Sequence, residues 1–279
     1  MRQVDYQEIV ETVAQMAVAA NIKLPLDVEQ AINQAAQKES NDLGRYVLKQ
    51  ICLNQAIAEK EEMPLCQDTG SAVVFVELGQ ETQIQGGLLD DAINAGVAKG
   101  YREGYLRKSM THPWLRQNTG DNTPAIIHLR LVAGDCCRLT IAPKGGGAEN
   151  MSALAMLPPS AGLPGIKDFV RQTVIKAGPN PCPPLVIGVG VGGNFEKAPL
   201  LAKTALIRPL GQPSPDPEVA ALEQELLAEI NQLNIGPQGF GGQTTALAVH
   251  IEIFPCHIAS LPVAVNLNCH VSRHVTFEL

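Results

Sequence analysis

Met63-Pro64-Leu65-Cys66-Gln67-Asp68-Thr69-Gly70 sets a thiol, an amide, a carboxylate and a hydroxyl in one loop bracketed by proline and glycine. Loops of this kind often display functional groups. The same residues also write a plain capped turn, with an Asx hydrogen bond at Asp68. Pro179-Asn180-Pro181-Cys182-Pro183-Pro184 is the more specific stretch. Prolines on both sides fix the backbone and remove donors, so Cys182 is held rigidly just ahead of an apolar run. A purely structural thiol does not need that frame. Near the C-terminus, Cys256-His257 and Asn268-Cys269-His270 follow the glycine-rich Gly239-Phe240-Gly241-Gly242. That segment reads equally as a core strand pair with incidental thiols, since cysteine is often buried as a small hydrophobe.

Two glycine loops could hold anions. Lys144-Gly145-Gly146-Gly147-Ala148-Glu149-Asn150 falls between a strand and a helix start, where successive N–H groups form a nest for a carboxylate or phosphate. It lacks the Gly-Lys-Ser/Thr ending of a nucleotide-phosphate loop, and a tight strand-to-helix turn accounts for it too. Gly188-Val189-Gly190-Val191-Gly192-Gly193 matches G-x-G-x-x-G after a strand. A dinucleotide site also expects an acidic residue about 20 positions on; Ile207-Arg208-Pro209-Leu210 stands there instead. A nicotinamide-dependent oxidoreductase using this loop is the rival reading from another class. Cys52 within a helix and the neighbours Cys136-Cys137 at a strand start read as ordinary thiols, and Cys256 beside His257 stays undecided.

The elements that position these loops follow from periodicity. Helical spacing covers residues 3–20, with Asp27 and Ser40 as caps for helices over 28–38 and beyond Ser40, so the first sixty residues read as a helical layer. Strands are expected over 72–78, 125–133, 137–142, 185–191 and 245–253, and helices over 90–105, 195–207 and 216–233. No linker or repeat interrupts the chain. The expectation is one α+β domain over 1–279, with a mixed sheet flanked by helices.

Composition bounds the rest. The net charge is −7, and aromatic residues make up only 4% of the chain. That gives no electrostatic footprint for nucleic acid or an anionic membrane. No signal-peptide core and no run of about 18 apolar residues is present, which points to a cytoplasmic protein. Seven cysteines there read as thiols, ligands or catalytic groups rather than disulfides.

Taken in order, Pro64-Leu65-Cys66-Gln67-Asp68-Thr69-Gly70, Lys144-Gly145-Gly146-Gly147-x-Glu149-Asn150, Cys182-Pro183-Pro184 and the block from Phe240-Gly241-Gly242 to Cys269-His270 resemble the class I fumarate hydratases, a family that includes the L-tartrate dehydratases. The resemblance spans nearly the whole chain. It implies a [4Fe–4S] cluster on Cys66, Cys182 and Cys269 with one iron left open, and a hydro-lyase reaction on a small dicarboxylate. It further implies substrate contacts at Gln67, Asp68, Arg107, Gly146, Gly147 and His257, with Asp68 and His257 as the catalytic pair. Single-chain members carry a second domain, so the resemblance implies an α subunit that works with a β subunit. Fumarate–malate interconversion is the leading expectation and tartrate dehydration the alternative.

Overall fold

The computed structural model describes residues 2–279. In chain order the elements are β1 (Arg2–Asp5), α1 (Tyr6–Ile22), α2 (Leu26–Lys38), α3 (Asp42–Lys60), β2 (Ser71–Gly79), β3 (Thr82–Gln85), α4 (Leu89–Glu103), β4 (Ile126–Val132), β5 (Cys137–Lys144) and α5 (Gly146–Glu149). Then come β6 (Ala153–Leu157), α6 (Gly162–Ala177), β7 (Leu185–Gly192), α7 (Lys197–Ala205), α8 (Pro217–Asn231), β8 (Ala246–Phe254), β9 (Leu261–Asn268) and β10 (Val275–Glu278). The class is α+β. The elements form two compact units that interleave along the chain. One comprises the residues up to Pro25, Gln55–Gly146 and Arg273–Leu279, and the other Leu26–Asn54 and Gly147–Ser272.

The first unit is built on a four-stranded mixed sheet in the order β10-β5-β2-β4, with β2 and β4 parallel and the other pairs antiparallel. Helices α1 and α4 supply Ile9, Val13, Ile93 and Val97 to a core shared with Val74, Leu139 and Ile141. A Cβ at Gly100 would stand 2.6 Å from the Ala14 carbonyl oxygen, so this glycine permits the close crossing of α4 over α1. The span Tyr6–Lys38 is long and apolar enough on average to cross a membrane. It is two helices, however, interrupted at Lys23-Leu24-Pro25, and α1 buries its apolar face in this core, as a core helix does.

The second unit holds a mixed sheet in the order β6-β9-β7-β8. Its central strand β7 is buried on both faces, as the continuous apolar run predicts. Leu185, Ile187 and Val189 face a core with Val170, Val174, Leu226 and Ile230 from α6 and α8. On the other side, a Cβ at Gly188 would lie 2.0 Å from the Ala202 oxygen, and one at Gly190 2.0 Å from the Ala198 oxygen. The G-x-G-x-x-G match is therefore explained by α7 lying directly on β7. Gly190→Ala is expected to cost about 3 kcal/mol or more through overpacking, a fall of roughly 6–12 °C in Tm. Thermal melts check this, and a Tm within two or three degrees of wild type would contradict it.

Two local expectations are corrected. Asp27 lies inside α2, and its carboxylate accepts from the Leu210 N–H at 2.6 Å instead of capping the helix. The side chain serving the start of α3 is Asn41, not Ser40; its Oδ1 accepts from the Gly44 N–H at 2.8 Å. The first sixty residues are helical from Tyr6 onward, but α1 belongs to the first unit and α2 to the second.

Candidate active site

In the first unit, three segments meet at one end of the sheet: 65–70 entering β2, 144–146 leaving β5 and 273–275 entering β10. Asp68 is at their centre. Its Oδ1 accepts from the Gly70 N–H at 3.0 Å, which is the Asx turn, and its Oδ2 accepts from the Gly146 N–H at 2.8 Å. The glycine loop thus takes its anion from the chain itself, and two candidate residues from distant motifs are joined. Gly146 and Gly147 are exposed and neither has a positive φ. A Cβ at either would meet nothing nearer than 3.8 Å. Glycine here is not forced by the fold; at Gly146 it leaves open space near the Asp68 carboxylate.

The main chain of this turn is held from within. The carbonyl oxygens of Asp68, Thr69 and Gly70 accept from Arg273 Nη2 at 2.6 Å, Tyr101 Oη at 2.7 Å and Asn122 Nδ2 at 3.1 Å. Burial pushes the Tyr101 phenol up to about 12, so it stays a hydrogen-bond donor. Asn122 Oδ1 also accepts from the N–H groups of Ser109 and Met110, and the Thr69 hydroxyl donates to the Arg107 carbonyl at 2.9 Å. Arg107 is thereby tethered beside the turn. Its side chain is exposed and, among the described residues, makes no hydrogen bond or ion pair.

The second unit gathers another group at one end of its sheet. Because β7 and β9 are antiparallel, the start of β7 faces the end of β9, with Val186 opposite Asn268, and this brings the Cys182 and Cys269 segments together. The His270 N–H donates to the Cys182 carbonyl at 3.2 Å, and His270 Nδ1 lies 3.1 Å from the same oxygen. Cys182 is exposed, at φ 57°, ahead of a cis Pro183-Pro184 bond. Gln238 secures the next residue by donating its N–H at 2.8 Å and its Nε2 at 2.9 Å to the Pro183 carbonyl. Glu149 anchors the glycine loop to β9: Oε1 pairs with Lys203 at 2.8 Å and Oε2 accepts from Asn266 at 2.8 Å. A cleft of about 410 Å³, lined by Asn150, Phe169, Thr173, Lys176 and Asn180 among others, opens between the Asn150 and Asn180 loops.

The Phe240-Gly241-Gly242 block is fixed by Glu39, which is 1% exposed. Its carboxylate accepts from the N–H groups of Asn41, Gln243 and Thr244 at 3.0, 3.2 and 3.0 Å. Burial disfavours the ionised form, but these donors outweigh it and hold the carboxyl below its ordinary value. A carboxyl lowered by folding stabilises above its unfolded pKa of about 4.3, and that contribution is lost as pH falls through the folded value. Glu39→Gln is expected to melt below wild type at pH 7, with the gap closing below about pH 4. Melts across that range test it, and a gap independent of pH would contradict it.

Sequence reasoning therefore finds Cys66, Gln67, Asp68, Arg107 and Gly146 in the first unit, and Gly147, Cys182, His257 and Cys269 in the second. His257 is not brought to the cysteines of its own sheet. It lies in the exposed turn between β8 and β9, at the end opposite Cys182 and Cys269. Eight strand residues separate the two ends, on the order of 25 Å. The Ala259 N–H donates to His257 Nδ1 at 3.1 Å, so the neutral ring carries its proton on Nε2. Tyr101, Asn122, Gln238, Glu39 and Arg273 were not legible as supports. Each reaches a site segment many positions away in sequence.

The donor chemistry suits an iron–sulfur cluster. None of the seven cysteines forms a disulfide, and Cys66, Cys182 and Cys269 are all at least partly exposed. In contrast, burial raises the Cys52 thiol, and raises the Cys137 thiol to about 11. Among the described residues no three His, Cys, Asp or Glu side chains gather as ligands of a single ion.

The family model described as "Fumarate hydratase (Fumerase)" matches residues 10–278. A protein of Methanocaldococcus jannaschii named "Putative L(+)-tartrate dehydratase subunit alpha" is 43% identical over 272 residues, covering 95% of both chains. The "L(+)-tartrate dehydratase subunit alpha" of Escherichia coli (strain K12) is 30% identical over 273 residues, covering 96% of this chain and 90% of its own.

Proposed function

Because this chain belongs to the fumarate hydratase family, a family of hydro-lyases, we propose that it is the iron–sulfur α subunit of an enzyme interconverting (S)-malate and fumarate. The observation that carries the reading is the Asp68 turn, a carboxylate fixed by two N–H groups beside open glycine backbone and a tethered, exposed arginine. Cys66, Cys182 and Cys269 would hold the [4Fe–4S] cluster, and a cytoplasm keeps such thiols reduced. When bound, the cluster supplies an iron with an open position that polarises the C2 hydroxyl as a Lewis acid.

This chain's own residues supply the rest of the half-site. Arg107 takes one substrate carboxylate, for which a guanidinium offers a planar pair of donors. Gln67 is exposed and offers an amide donor or acceptor. Gly146 and Gly147 let the substrate approach the backbone. Asp68, its carboxylate held in place, guides the C3 proton with groups from a β subunit as fumarate and water form. His257, with its proton on Nε2, is the second group we assign to catalysis and substrate contact. The subunit-alpha names of the relatives support a partner subunit.

The names of the relatives favour a second reading, dehydration of L-tartrate to oxaloacetate. The test is anaerobic turnover of malate and of L-tartrate by the purified chain, with and without its β partner. The proposal expects malate to give the higher kcat/KM and the chain alone to be inactive. A higher kcat/KM for tartrate would transfer the assignment to the second reading. Full turnover by the chain alone would overturn the two-subunit account.

A further inference from the structure

We propose that Arg273 is a positioning residue for this reaction, its buried guanidinium kept for the backbone of the Cys66–Gly70 turn rather than for the stability of the fold. The inference rests on the roles proposed above for Cys66 and Asp68. Arg273 is 4% exposed, and Nη2 donates to the Asp68 carbonyl at 2.6 Å. Its Nε and Nη1 are also buried and, among the described residues, have no hydrogen-bond partner, and no carboxylate there pairs with the guanidinium.

An uncompensated buried cation costs a fold far more than one hydrogen bond to a carbonyl returns. Packing alone would select an apolar side chain at this position, or a neutral donor. The two neighbouring carbonyls show what a neutral donor does: Thr69 and Gly70 are served by Tyr101 and Asn122, both 0% exposed. Three side chains from three separate segments thus take three consecutive carbonyls. Only the one on Asp68 is charged. Its loss would free the peptide between Asp68 and Thr69 to turn, moving the residue that carries the carboxylate and loosening the turn that begins at Cys66. A misplacement of about 1 Å at such a position costs on the order of a hundredfold in rate.

The test uses the complete enzyme, the chain co-expressed with its β partner, as wild type, Arg273→Met and Arg273→Lys. For Arg273→Met the expected kcat is at least about tenfold lower. KM should change little, and the iron–sulfur absorbance should bleach several-fold faster in air. Its Tm should stay within about 3 °C of wild type or rise. Arg273→Lys, whose ammonium can still donate to the Asp68 carbonyl, should regain most of the kcat and cluster lifetime. Wild-type kcat and bleaching in Arg273→Met would overturn the proposal. So would failure of that variant to fold, or a large fall in Tm, since either makes the arginine an ordinary structural residue. A folded Arg273→Lys as impaired as Arg273→Met would overturn the carbonyl bond as the operative contact. Iron and sulfide are counted in the wild type alongside: an empty wild type would sink the functional reading itself, a result distinct from a loaded wild type that Arg273→Met matches.

Discussion

Cys182→Ala is expected to leave a folded chain that assembles no iron–sulfur cluster and has no measurable turnover. Cys66→Ala and Cys269→Ala should behave the same way. Cys182 is exposed, so removing its sulfur opens no core cavity, and its backbone frame of prolines, Gln238 and His270 persists without it. The expected loss is therefore chemical: under the proposed assignment, a cubane already short of one protein ligand would be left with two. The contrast comes from the remaining thiols. Cys137→Ala removes a fully buried side chain and should cost about 1 kcal/mol in stability, while Cys52→Ala, Cys136→Ala and Cys137→Ala keep the cluster. Iron and acid-labile sulfide counted after anaerobic reconstitution read this directly. A full complement in any of the first three variants would break the ligand assignment.

Asp68→Asn is expected to reduce kcat by roughly 10³-fold, the range set by losing a positioned acid–base group. The amide cannot reproduce the carboxylate. Where Oδ1 and Oδ2 now accept from the Gly70 and Gly146 N–H groups, one amide nitrogen would face another donor. The turn itself should survive, because its carbonyls remain bonded to Arg273, Tyr101 and Asn122. Cluster content should accordingly match wild type while turnover collapses. Fumarate absorbance from malate measures the rate; a loss of less than about tenfold would remove Asp68 from the chemistry.

Much of this was legible in the sequence for identifiable reasons. The run Leu185–Val191 reads as a buried strand because α7 and α8 cover opposite faces of it, and the helix expected over 216–233 is α8, its apolar side packed in the same core. The motif loops stand out because proline and glycine bracket them. What stayed hidden depends on pairing or on disguise. Strands β1, β3 and β10 are each four residues long, too short for a period to register. Helix α6 opens Gly162-Leu163-Pro164-Gly165, a run of breakers that masks the apolar spacing after it. No linker marks the two units, because each is assembled from separated stretches. Arg273 read as nothing in particular, since its importance lies in a bond to Asp68, 205 residues away.

The central claim is that this chain carries an iron–sulfur cluster on three cysteines, with one iron left for substrate. The most direct measurement is the iron and acid-labile sulfide content of the anaerobically purified wild-type chain, together with its visible spectrum before and after malate. The account predicts about four irons and four sulfides per chain, a broad brown absorbance, and a change in that absorbance on adding malate. A colourless wild-type chain that turns over malate with its partner would contradict it.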